Sequence, residues 1–176
     1  MLLVYGLKEE KLALLKELSE KYGFSLKSVK DEDTFYTVAN LAGLEGADKR
    51  KFLREDYPKD MEFLLFCQID RQDLYGFLQD LDQAGYQFPH KAVMTETNQS
   101  WPFSYLLSHI AEEHTLMQAY QRLGKKVKDS SHLKAPEIEQ IIKKAKSLSS
   151  LGEDLTVNHV LALEKELNQA LANLEN

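Results

Sequence analysis

Phe63-Leu64-Leu65-Phe66-Cys67 is an unbroken apolar run inside the stretch Met61 to Ile69. It is too short for an ordinary helix and lacks the alternation of a half-exposed strand, so it predicts a strand buried on both faces. Leu2 to Leu7 is a second run of the same kind. Each run leads into a helical pattern. After the first, Leu12, Leu15, Leu18 and Tyr22 recur at helical spacing, Glu9 and Glu10 lie in the first turn, and Gly23 follows as a C-terminal cap. After the second, Asp70 reads as an N-cap, Leu74, Phe77, Leu78 and Leu81 form the apolar stripe, and Gly85 ends the helix.

Behind each helix comes a shorter, mixed stretch. Phe24 to Val29 and Lys91 to Met94 are expected as the second and fourth strands, and Thr34 to Leu41, rich in aromatic and β-branched residues, is expected to extend or pair with the former. Gly43 to Asp60 mixes charges with few apolar anchors and reads as an insertion, with one short helix around Lys49 to Arg54. The order strand, helix, strand, strand, helix, strand predicts an α+β fold with a ferredoxin-like βαββαβ core. In that core the first and third strands lie centrally and the second and fourth at the edges, which agrees with their hydrophobicity. A fully parallel doubly wound sheet would need a crossover helix between the second and third strands, and residues 43–60 are a poor candidate.

A long helix follows, with Trp101 as its N-cap and Pro102 as its first helical position. Phe103, Leu106, Leu107, Ile110, His114 and Met117 share one face up to the helix end near Leu123. Lys125, Lys126 and Lys128 are expected just past that end, as cations complementing the helix dipole. A polar linker at 129–135 then divides a core domain (1–128, with its third helix) from a helical C-terminal region (129–176). That region is a helical pair: one helix opened by Pro136, and a last helix over 155–174. Val160, Leu163, Leu167, Ala170 and Leu174 follow heptad spacing, a narrow seam that asks for another helix. The partner is either intramolecular or external, a homodimer or another protein meeting the C-terminal helices. No internal repeat is visible.

The net charge of −6 over 176 residues argues against a nucleic-acid or anionic-membrane partner. A single cysteine provides no disulfide framework. The opening Met-Leu-Leu-Val-Tyr-Gly has no basic n-region, and no apolar run is long enough to span a bilayer, so a cytoplasmic protein is expected.

The candidate site is the loop Thr95-Glu96-Thr97-Asn98-Gln99-Ser100-Trp101, between a strand and a helix N-terminus. Thr95, Thr97, Asn98 and Trp101 are the ligand-binding candidates, since hydroxyls and an amide beside free helix N–H groups can hold an anion or a small polar ligand. The same residue types also satisfy the turn itself, and Glu96 opposes a phosphate. No metal site is expected. His109 and Glu113 are four apart, but His114 is five from His109 and falls on another face. No nucleophile elbow, P-loop or dinucleotide fingerprint occurs, so catalytic residues and cofactor are left unassigned.

Lys91-Ala92-Val93, Thr95-x-Thr97-Asn98-x-x-Trp101, Leu106-Leu107 and Glu112-Glu113-His114, together with an apolar first strand ending in Tyr5-Gly6, resemble an uncharacterised family found mainly in Firmicutes bacteria. It is the domain of unknown function numbered 3783. The likeness spans the α/β part; residues 43–60 and the C-terminal helical pair lie outside its pattern. The resemblance implies no activity, and it places the family's distinctive residues at Thr97, Asn98 and Trp101. The expected reading is a non-catalytic regulatory or protein-interaction module. A small-ligand or anion sensor at the 95–101 loop comes next, then an enzyme with an unrecognised site.

Overall fold

Leu2–Tyr5 forms β1 and Phe63–Phe66 forms β3, and every residue of both is buried. The computed structural model describes residues 1–53 and 55–174. β1 and β3 pair antiparallel in the middle of a four-stranded sheet ordered β2-β1-β3-β4, with β2 (Leu26–Ser28) and β4 (His90–Val93) at the edges. Hydrophobicity thus predicts which strands are central. It does not predict which edge each outer strand takes. A ferredoxin-like sheet leaves a strand between the two that each crossover helix joins. Here α1 (Glu9–Lys21) joins β1 to its immediate parallel neighbour β2, and α3 (Arg71–Gln83) joins β3 to β4 in the same way. The sheet is mixed, two adjacent βαβ units running in opposite senses, in place of the ferredoxin-like order. Both orders bury the same two strands, so burial alone does not separate them.

The connection from β2 to β3 also departs from expectation. Thr34 to Leu41 is not a strand: only Thr37 makes an isolated bridge, to Pro102, and Val38–Leu41 is a short helix, α2. Thr37 Oγ1 accepts the Asn40 N–H at 3.2 Å, so its hydroxyl caps a helix where β-propensity alone argues for a strand. Residues 49–53 are not helical, and Arg54, the end of the short helix expected there, lies outside the described residues.

Two unlike cores cover the sheet. Leu15, Phe77 and Leu81 of α1 and α3 pack on Leu2, Val4, Leu64 and Phe66. On the opposite face Val38 and Leu41 of α2, with Phe103, Leu106 and Leu107 of α4 (Phe103–Ser130), pack on Leu3, Tyr5, Phe63 and Leu65. Full burial of each such side chain contributes about 1.5–3 kcal/mol, which is why these strands organise the rest. Asp70 caps α3 as its position predicts, its carboxylate accepting the Gln72 N–H at 2.7 Å.

The chain divides into two compact units, Met1–Ala111 and Glu112–Asn176, with the division inside α4. In the second unit α5 (Pro136–Ser147) and α6 (Val157–Leu174) pack with the remainder of α4. The heptad seam is used here: Val160, Leu163, Leu167 and Ala170 are buried with Ala119, Leu123, Ile138 and Ile141, while Leu174 is exposed. α4 does not end at Leu123. It continues through Gly124, so Lys125, Lys126 and Lys128 are helical residues rather than cations beyond a helix end. Glycine inside a helix costs only about 1 kcal/mol, which burial of Leu123 and Val127 on either side offsets. Lys126 Nζ reaches Glu164 at 3.0 Å and Asn168 at 2.9 Å on α6. Among the described residues no helix is long and apolar enough to cross a membrane.

Candidate functional site

β4 ends where Met94 N–H donates to Phe66 O at 2.8 Å, and the chain then turns through Thr95 to Ser100 into α4. Two of the candidate residues hold this turn closed. Asn98 Oδ1 accepts the Thr95 N–H at 2.8 Å, Thr95 Oγ1 accepts the Asn98 N–H at 3.1 Å, and Asn98 Nδ2 donates to Val93 O at 3.0 Å. Ser100 Oγ donates back to Thr97 O at 3.2 Å. Both ends of the Asn98 amide are therefore occupied within the loop, the local bonding that suits Asn and Thr to turns. Thr97 is exposed, and its side chain makes no capping bond to the 3₁₀ turn Asn98–Ser100.

Trp101 serves a different purpose. Its extended backbone carries the chain into α4, its carbonyl accepts the Val38 N–H at 3.0 Å, and its ring is partly buried against the α2/α4 core. The rest of the indole meets two rings on α4. Trp101 stands edge-on to Tyr105 (centroids 4.9 Å apart) and to His109 (5.2 Å), while Tyr105 and His109 stack at 6.2 Å. The three rings form a closed cluster: Trp101, which precedes α4, lies against both of the rings that α4 carries four residues apart at 105 and 109. Tyr105 is 40% exposed, which leaves one corner of the cluster open to solvent. The i, i+4, i+8 spacing of Trp101, Tyr105 and His109 was available in the sequence as a signal, but only Trp101 is selected by loop chemistry.

Residues 62–117 match the family model of a domain of unknown function, DUF3783. The DUF3783 segment contains β3, α3, β4, the 95–101 loop and the start of α4, so Thr95, Thr97, Asn98 and the whole ring cluster fall within it. It leaves β1, α1 and β2 unmatched. No curated protein and no solved structure matches the chain.

Two further features lie outside the loop's own chemistry. Gln99 and Ser100 share a depression of about 460 Å³ with Thr37, Leu44, Asp48 and Phe52. Tyr5 O–H donates to Asp31 Oδ1 at 2.5 Å, and Tyr57 O–H reaches the same oxygen at 3.1 Å. Burial, reinforced by the Asp31 and Tyr57 contacts, pushes the Tyr5 hydroxyl well above the usual tyrosine range, so it is a fixed donor at any physiological pH. These three residues are far apart in sequence, and no spacing rule finds them. Among the described residues no three His, Cys, Asp or Glu side chains gather as metal ligands would. His109 belongs to the ring cluster, and a ring nitrogen of His114 lies 2.7 Å from Gln118 Nε2.

Proposed function

We propose that the chain is a non-catalytic protein-interaction module whose contact surface is the ring cluster of Trp101, Tyr105 and His109. The open ring of Tyr105, packed against two half-buried rings at the start of α4, carries the reading. Aromatic side chains with an apolar body and a polar tip are enriched at contact surfaces, and they are most effective when pre-organised. The turn-closing role of Asn98 and Thr95 supports it too: the Asn98 amide and the Thr95 hydroxyl are engaged within the loop itself. The acidic composition and the resemblance to a mainly Firmicutes family support a cytoplasmic bacterial setting. The C-terminal helices contribute a second surface, for a protein partner or a second copy, at the exposed Leu174 that ends the otherwise buried seam.

A photo-crosslinking phenylalanine derivative at Tyr105, compared with the same group at the more exposed Tyr75 of α3, tests the ring cluster directly. The reading expects a discrete protein adduct in cells from position 105 and none from 75. Equal labelling from both positions, or none from 105, rejects it.

The depression beside Gln99 and Ser100 favours one alternative, a sensor for a small polar molecule. A ligand at a hundred times its dissociation constant stabilises by about 2.7 kcal/mol, which a thermal-shift screen detects. A shift that survives both Gln99→Ala and Ser100→Ala would place the ligand elsewhere.

A further inference from the structure

We infer that residues 1–38 are a second, diverged copy of the DUF3783 unit, and that the unit's inner edge is a self-complementary surface whose partner is another copy of the same unit. In this chain that partner is supplied in cis.

The two halves agree where no general rule of βαβ architecture requires it. The turn out of β1 passes through Gly6 at φ +68°, and the turn after β3 passes through Gln68 at φ +50°, a left-handed conformation that a non-glycine residue seldom adopts. α1 and α3 each have 13 residues. They end at Gly23 (φ +67°) and Gly85 (φ +77°), followed by matching bonds from Phe24 N–H to Ser19 O and from Tyr86 N–H to Leu81 O. Leu15 and Phe77, the buried residues at the middle of the two helices, occupy matching positions. The outer strands leave the sheet by the same step: Val29 N–H donates to Val4 O, and Met94 N–H to Phe66 O, both at 2.8 Å. From Gly6 and Gln68 to Gly23 and Gly85 the correspondence is one constant shift. A slightly longer helix-to-strand loop in the second half changes that shift once, and it then holds again from β2 and β4 onward.

The surfaces that the halves present to each other are reciprocal. Leu2 pairs with Phe66 and Val4 with Leu64, leaving Leu3 opposite Leu65 on the axis of a local twofold. Beyond the sheet Thr37 bridges Pro102, Val38 N–H donates to Trp101 O at 3.0 Å, and Phe103 N–H donates to Tyr36 O at 2.9 Å. Tyr36 and Val38 take the places that Trp101 and Phe103 take in the other copy. A contact in which residue i meets j and the counterpart of j meets the counterpart of i is that of a twofold dimer, here within one chain. Divergence is concentrated after the bridge. α2 stops at Leu41, with Gly43 (φ +72°) closing it, whereas the matching helix runs on as α4.

The test is a full-length chimera in which residues 1–38 are replaced by a second copy of residues 63–103. A soluble monomer with one cooperative melt and wild-type helix and strand content is the expected result. A chimera that aggregates or lacks a cooperative melt, under conditions where the wild-type chain folds, counts against a self-complementary edge. A second measurement stands apart from the chimera's folding. Scalar couplings across hydrogen bonds in the wild-type chain must show both members of the Val29–Val4 and Met94–Phe66 pair, and both of the Val38–Trp101 and Phe103–Tyr36 pair. Loss of one member of either pair overturns the inference.

Discussion

Gln68→Gly should stabilise the protein. Gln68 is exposed and follows β3 with φ at +50°, so its backbone is held in the left-handed region without a buried side chain to compensate. That conformation costs a residue with a Cβ roughly 1–2 kcal/mol. Glycine removes the cost but adds about 0.5–1 kcal/mol of entropy to the unfolded chain. The difference is a net gain of up to roughly 1.5 kcal/mol, a rise of up to about 6 °C in the melting midpoint for a chain of this length. Urea unfolding is the cleaner assay, because a higher midpoint at unchanged slope identifies a stability change rather than an altered unfolded state. Gly6 occupies the matching turn and provides the contrast. A Cβ there would overlap the Met61 carbonyl oxygen as well as meeting a φ of +68°, so Gly6→Ala should destabilise strongly. A lower midpoint for Gln68→Gly would refute the reasoning, since it would mean that the side chain makes a contact worth more than the backbone strain.

Asn98→Ala should cost about 1–2 kcal/mol with no ligand present, because it removes the two side-chain bonds to Thr95 N–H and Val93 O that close the loop; an unchanged thermal midpoint would count against that structural role. Leu167→Ala, at a fully buried position of the α6 seam, should cost about 2–5 kcal/mol in chemical denaturation; a loss below 1 kcal/mol would show that the seam is not packed as described. Burial pushes the Cys67 thiol from its ordinary value near 9 up to about 11. The unfolded chain therefore ionises first. The thiol's contribution to stability is whole below pH 9 and is lost as the pH climbs toward 11, a decline that Cys67→Ala should flatten. Native Cys67 should also resist a thiol reagent at pH 8 and react at once in denaturant, and rapid labelling of the folded chain would contradict its burial.

The central strands were legible because four consecutive apolar residues with no alternation admit few other readings. Leu2–Tyr5 and Phe63–Phe66 are buried throughout, as that pattern demands. The helices α1, α3, α5 and α6 followed from apolar spacing and from caps such as Asp70, Gly23, Gly85 and Pro136. The order of the strands was not legible. It depends on where β2 and β4 dock, and their few residues carry no signal that separates an adjacent parallel neighbour from a strand one place further away. The duplication was hidden for a related reason. What the copies share is backbone geometry, and matching positions hold Tyr5 and Cys67, or Ser19 and Leu81, which no residue comparison would pair. At the candidate site, loop chemistry pointed to the 95–101 stretch. It did not show that Thr95 and Asn98 bond to each other, nor that Trp101 belongs with Tyr105 and His109.

Hydroxyl-radical footprinting of the purified chain, alone and in an extract of the cells that make it, tests the interaction surface most directly. Trp101 and Tyr105 should be oxidised in the isolated protein and protected in the extract, while Tyr75 on α3 is oxidised equally in both. Equal oxidation of Tyr105 in the two samples, or protection of Tyr75 to the same degree, would contradict it.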